Sequence, residues 1–239
     1  MRLNDPVLVA GEYADDARLR RRAAAYTGVG TVVDARDSIV AAVAAARPQV
    51  VLEVGCGWGE LALRMRGEAG AEVVVIDLSP RMVELASSAG VNATVADVQE
   101  LPFADESFDV AVAAWMLYHV PDIDRGVSEL ARVVRPGGRL VASTNSVTHL
   151  HELRELVRSG PSTIQFSREN GGDILGRHFV RVERDDIDGE LEFDDRAAVE
   201  EYVHASISMS PFVANLPESI TEPFRARRAT SVFVAEKAS

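Results

Sequence analysis

Three glycines and three acids are placed to act on one ligand: Gly55, Gly57 and Gly59 in "LEVGCGWG", with Glu53 before them and Asp77 and Asp97 further on. Glycines at alternate positions let the backbone turn tightly and approach a ligand, because no Cβ intervenes. Each acid interrupts or ends a run rich in apolar residues: "VVLEV", "VVVID" and "TVAD". Such runs read as buried parallel strands, whose carboxyl ends are where open α/β sheets bind ligands. The spacing therefore predicts a nucleotide-like ligand held in a turn between strand and helix.

A dinucleotide fits this turn poorly. Its fingerprint can be laid on Gly57, Gly59 and Ala62, with Asp77 downstream. Glu60 would then stand at the helix start, where a pyrophosphate must bind, and would repel it. S-adenosylmethionine has no phosphates; it carries an ammonium and a sulfonium charge and tolerates nearby carboxylates. Asp77 at the second strand end suits a ribose diol, and Asp97 at the third suits an adenine amino group, with the Val98 N–H beside it.

The elements that must position these residues follow a strand–helix alternation. Helices are expected at about 13–25 and 31–46, then strands at 49–54, 72–77, 91–97, 108–115 and 139–145, with helices between them. Ser79 and Pro80 supply an N-cap and first turn, and Gly90 a stop. Pro136-Gly137-Gly138 is expected to turn the chain into the fifth strand. Beyond 146 the rhythm changes: a helix at 148–159, a loop or lid at 160–176, an exposed charged strand at 181–195, a helix from Arg196 and a last strand at 229–237. Alternation of this kind implies a doubly wound, mostly parallel sheet with helices on both faces.

Bulk composition narrows the partners. The net charge is −12, and Lys237 is the single lysine among 25 basic residues. Nucleic-acid binding rests on many cations against phosphates, so a nucleic-acid substrate is disfavoured. The cluster "RLRRR" (18–22) reads as a solvated helix face. The longest nearly apolar stretch, "VAVAAWMLYHV", is too short to span a bilayer, so no membrane role is expected. With Cys56 as the lone cysteine, no internal disulfide can form, which suits a cytoplasmic protein. No metal-ligand spacing is present, and oligomeric state is not readable.

In order, "LEVGCGWG", "VVVIDLS", "VADVQELPFADESFDVAVAAWMLYHVPD" and "ELARVVRPGGRLV" resemble the motifs of class I S-adenosylmethionine-dependent methyltransferases. Within them they are most similar to the ubiquinone/menaquinone-biosynthesis C-methyltransferase-like group of small-molecule enzymes. The resemblance implies a Rossmann-like seven-stranded α/β sheet with an antiparallel last strand and an N-terminal helical lid. It implies a cap over 1–47 and a cofactor-binding domain over 48–239, with 146–228 shaping the acceptor pocket. It places Gly55, Gly57 and Gly59 in the cofactor turn, Glu53 near the methionine ammonium, Asp77 on the ribose, and Leu78, Asp97 and Val98 around the adenine. Trp115 would offer its carbonyl to the ammonium and its ring to the pocket, and Tyr13 would close over the methionine end.

For the acceptor side, His119 in "WMLYHVPD" follows the fourth strand, and its ordinary pKa suits general-base work. Tyr118 beside it and His149 after the fifth strand are further candidates, with His151 a weaker one. Phe166, Met209 and Phe212 fit either an aromatic acceptor's pocket or the core. His178 and His204 read as surface or packing residues, and Cys56 as a small packing residue. The expected function is methyl transfer to a small organic acceptor, as in secondary metabolism. The alternatives are methylation of a protein or RNA, and a cofactor-binding protein without catalysis.

Overall fold

The computed structural model describes residues 3–26 and 34–239. Three helices precede the first strand: α1 (Pro6–Glu12), α2 (Ala17–Ala24) and α3 (Ala35–Ala45). The helix expected at 13–25 begins only at Ala17, and α1 before it is a helix the sequence reading did not anticipate. Asp5 starts the first, its carboxylate accepting from the N–H groups of Val7 and Leu8, with Pro6 in the first turn. Asp34 caps α3 by accepting from Arg36 N at 2.9 Å, and positions 31–33 of that expected helix lie outside the described residues.

The alternation then runs β1 (Val50–Val54), α4 (Glu60–Ala69), β2 (Glu72–Asp77), α5 (Pro80–Ser88), β3 (Asn92–Val95), β4 (Phe108–Ala114), α6 (Ile123–Val133) and β5 (Val134–Asn145). After it come α7 (His151–Leu156), α8 (Gly171–Leu175), β6 (Arg181–Phe193), α9 (Arg196–Ala205) and β7 (Phe224–Glu236). The strands form one seven-stranded sheet in the order β3-β2-β1-β4-β5-β7-β6. Pairing is parallel from β3 to β5, and β7 runs antiparallel to both β5 and β6. This is the doubly wound α/β sheet the sequence predicts.

One expected turn is absent. Pro136-Gly137-Gly138 does not precede β5 but lies inside it, as a bulge where the register jumps from Phe108↔Val134 to Val110↔Arg139. A Cβ on Gly138 would sit 2.6 Å from the Asp109 carbonyl oxygen, so only glycine lets the bulged backbone pack there.

Alternate residues of the central strands face opposite layers. Leu52, Ile76, Leu140 and Phe233 join α6 residues Val127 and Leu130 in one core. Val51, Val75, Val110, Val141 and Val232 pack with Ile39, Val40 and Val43 of α3 and Met65 of α4 on the other face. Phe166 is fully buried in the first core, which settles it as packing. Beyond β5, the pairing of β6 with β7 continues to Phe193↔Phe224, and this projecting ribbon carries a third core with α7 and α9. The ribbon sets the outer wall of the site described next.

Candidate functional site

The turn after β1 is built for close approach. Gly55, Gly57 and Gly59 have φ values of 72°, 53° and 83°, which disfavour residues bearing a Cβ. At Gly55 there is also no room, because a Cβ would lie 2.8 Å from that of Met116. Gly59 then N-caps α4, as a strand-to-helix turn requires.

Around this turn lies a cavity of about 480 Å³. Nearly all the expected cofactor residues line it: Tyr13, Glu53, Gly55, Gly57, Asp77, Leu78, Asp97, Val98 and Trp115. Gly59 does not; its open side faces Ala86 and Val91 instead. Asp77 is oriented by its own loop, accepting from Ser79 N at 2.8 Å and Gly57 N at 3.3 Å. Burial pushes its carboxyl up, while those backbone donors pull it back down. Asp97 accepts from Gln99 N at 2.8 Å, and Gln99 Nε2 approaches its two oxygens at 3.2 and 3.0 Å, so a ligand amino group must share it. Leu78 keeps 54% of its surface exposed and Val98 only 6%, offering apolar walls to a flat ring.

Glu53 is the most unusual member. It is 2% exposed, and its Oε2 has no hydrogen-bond partner. Burial first, and then the nearby Asp77 charge, push its carboxyl up to about 8. Its unpartnered oxygen is free to meet a cation, which would draw the carboxyl into its charged form. The ammonium of S-adenosylmethionine is such a cation, and the glycine cradle, Asp77 and the apolar walls match the rest of that molecule. The residues present fit this cofactor.

A lid covers the cavity from α1. Tyr13 Oη lies 3.0 Å from His119 Nε2, its carbonyl accepts from Ser79 Oγ at 2.7 Å, and the Tyr13 and His119 rings meet edge to face. His119 Nδ1 lies 2.7 Å from the Leu3 carbonyl, which only accepts, so Nδ1 carries the proton and Nε2 accepts from Tyr13. Burial pushes the His119 imidazole down to about 4. The ordinary pKa on which the sequence reading rested is therefore absent: His119 is neutral and its free lone pair is occupied. The lid is clasped by the "RLRRR" cluster, which is not simply a solvated face. Glu12, 5% exposed, pairs with Arg18 at 3.0 Å and with Arg22. Those arginines also donate to the carbonyls of Ser206 and Ala205 at the end of α9, at 3.1 and 2.6 Å.

A second cavity, of about 600 Å³, opens beside the first. Trp115, Tyr118, His119 and Tyr13 line both. Trp115 has φ 51°, a strained geometry for its type, and its N–H bonds Ser143 O at 3.0 Å. His149 lines the second cavity only, with the opposite tautomer to His119. Its Nδ1 accepts from Ala229 N at 3.1 Å, so its Nε2 donates to Tyr26 Oη at 3.1 Å, which in turn bonds Tyr202 Oη at 3.2 Å. Burial and the neighbouring Arg154 and Arg228 push it down to about 3. Met209 lines this cavity as well, whereas Phe212 packs on the third core. His151, His178 and His204 pair with Glu155, Asp124 and Glu200 instead. Tyr26, Tyr202 and Arg154 line the second cavity but are missed by sequence reading, because nothing local marks them.

Comparison with known proteins agrees with this geometry. Residues 52–142 match the methyltransferase domain family. That match falls within the Rossmann-like α/β sheet described above. A malonyl-[acyl-carrier protein] O-methyltransferase of Pseudescherichia vulneris is 33% identical over 161 residues, 66% of this chain and 59% of that one. A demethylmenaquinone methyltransferase of Desulfitobacterium hafniense is 35% identical over 118 residues, 45% of this chain and 46% of the relative. The chain thus spans about half the length of these relatives. Among solved structures, a Burkholderia thailandensis 1,6-didemethyltoxoflavin-N1-methyltransferase with bound S-adenosylhomocysteine has a TM-score of 0.59 at 17% identity, covering 98% of this chain and 88% of that one. The [4+2]-cyclase SpnF has a TM-score of 0.65 at 17% identity, covering 96% and 95%. The fold is therefore shared by different chemistries. Among the described residues, no helix is long and apolar enough to cross a membrane.

Proposed function

We propose that this protein is an S-adenosylmethionine-dependent methyltransferase acting on a small organic acceptor, of the kind made in secondary metabolism. The observation that carries the reading is Glu53: a buried carboxyl with an unpartnered oxygen, in a glycine-cradled cavity joined to a second cavity by Trp115 and Tyr118. The bound cofactor supplies an electrophilic methyl at its sulfonium. This chain's residues bind, orient and exclude water. Glu53 and the Trp115 carbonyl hold the ammonium end, Asp77 the ribose diol, and Leu78, Asp97 and Val98 the adenine. Tyr13 closes the methionine end, and His119 anchors Tyr13 rather than removing a proton. Tyr118 and the His149–Tyr26–Tyr202 chain face the acceptor, with 146–228 shaping its pocket.

The test is calorimetric titration with S-adenosylhomocysteine and, as control, NADH, followed by an acceptor screen with labelled methyl donor. Micromolar binding of the first alone, and label transferred to a small molecule, are expected. Tight binding with no transfer to any acceptor would move the reading to a cofactor-binding protein of other chemistry, and no binding at all would end it.

A further inference from the structure

The second cavity contains a charge that the protein leaves unanswered. Arg154, on α7, donates from Nη2 to Ser208 Oγ at 3.0 Å, and its Nε is buried without a hydrogen-bond partner. Its basicity is lowered by burial, and Tyr202 is the one group acting against this. No carboxylate pairs with it among the described residues, and 27–33, "TGVGTVV", contains no acid. Two other arginines of the same lining are answered by acids: Arg22 by Glu12, and Arg36 by Asp34 and Glu60. In a chain with 37 acidic residues against 25 basic ones, a half-buried arginine without an acid is not explained by any shortage of acids.

A guanidinium withdrawn from water is unfavourable unless an anion meets it, and its planar fork matches a carboxylate in two parallel hydrogen bonds. The surroundings supply both halves of such a ligand's environment. Ser162 and Ser208 are hydroxyl partners, while Leu150, Ile164, Ile207 and Met209 form an apolar wall. Arg154 lines the second cavity and not the cofactor cavity, so an anion held there is remote from the methyl donor.

We propose that the acceptor is a small, mostly apolar molecule bearing a carboxylate, and that Arg154 and Ser208 clamp this carboxylate as an anchor while another atom of the acceptor is methylated. The proposal rests on the methyl-transfer reading of the joined cavities. It assigns Arg154 to substrate selection.

The test uses the full chain saturated with S-adenosylhomocysteine and titrated with matched pairs: p-coumarate against p-coumaramide, p-hydroxyphenylacetate against its amide, and octanoate against octanamide. At least one carboxylate is expected to bind about tenfold more tightly than its amide, the scale of one charge-assisted contact. Arg154→Met should erase that preference and leave S-adenosylhomocysteine affinity unchanged. It should also leave the melting temperature of the ligand-free protein unchanged or raised, because it removes an uncompensated buried charge. Arg154→Lys should keep part of the preference. The proposal is overturned if no pair shows a carboxylate preference, if the preference survives in Arg154→Met, or if that variant melts well below wild type. A preference that depends on Arg154 in a protein transferring no methyl would instead refute the methyl-transfer reading alone.

Discussion

Tyr13 and His119 are joined by a 3.0 Å hydrogen bond although 106 positions separate them in the chain. The bond ties the start of the chain to the loop after β4, across the mouth of the cofactor cavity. It also settles His119's tautomer, because the Leu3 carbonyl leaves Nε2 as the acceptor. Tyr13→Phe should destabilise the protein by about 1 kcal/mol, a fall in melting temperature of roughly 2–4 °C. The same variant should weaken S-adenosylhomocysteine binding in titration. Unchanged affinity would show that the lid does not close over the ligand.

The two buried histidines should hold opposite tautomers. Long-range proton–nitrogen NMR at pH 6 is expected to show Nδ1–H for His119 and Nε2–H for His149, both neutral. Their folded pKa values, about 4 and about 3, lie below the ordinary histidine value. Below about pH 6.5 the unfolded chain therefore binds more protons than the folded one. Stability from these groups is full above that pH and is lost as the pH falls towards 4 and 3. Imidazolium signals from either ring at pH 6 would contradict this.

Glu53 makes cofactor binding depend on pH near neutrality, where an ordinary carboxylate is already ionised. With its carboxyl raised to about 8, it is protonated at neutral pH until a cation arrives. Ligand affinity should thus rise as pH increases from 6 towards 8 and level off above. Calorimetry at pH 7 in buffers of different ionisation enthalpy should report proton release on binding. Glu53→Gln should abolish both effects. In the ligand-free protein the raised pKa favours the folded state below about 4.5, and this contribution is lost as pH rises through 8.

Gly55→Ala and Gly70→Ala separate local strain from lost space. Both glycines have positive φ, 72° and 68°, but only Gly55 faces a clash, with Met116 at 2.8 Å, whereas Gly70 has open space. Each substitution should cost about 1 kcal/mol in backbone strain. Gly55→Ala should in addition lose S-adenosylhomocysteine binding, read by the same titration, while Gly70→Ala should keep it.

Asp77→Ala should weaken S-adenosylhomocysteine by at least about tenfold, the worth of a charge-assisted hydrogen bond. Because Asp77 also accepts from Gly57 and Ser79, Asp77→Asn serves as the gentler comparison. Wild-type affinity in both variants would remove Asp77 from the ligand.

The cofactor half of the site is legible in the sequence because its signals are local. Apolar runs mark β1, β2 and β4, the glycines need positive φ wherever a strand turns tightly into a helix, and Glu53, Asp77 and Asp97 fall at or near strand ends by chain position alone. The start of α1 was also marked, by Asp5-Pro6, and read too late in the chain. The start of β5 was not, since Pro136-Gly137-Gly138 reads as a turn until Gly138 is seen packed on the Asp109 carbonyl. The acceptor half belongs to the tertiary structure. Whether His119 is a base, whether Arg18 and Arg22 clasp a lid, and whether Arg154 has a counter-charge depend on groups as much as 188 positions away, and on how much water reaches them. Periodicity reports which face of an element is buried; only packing decides which polar groups meet there, and burial then sets their protonation.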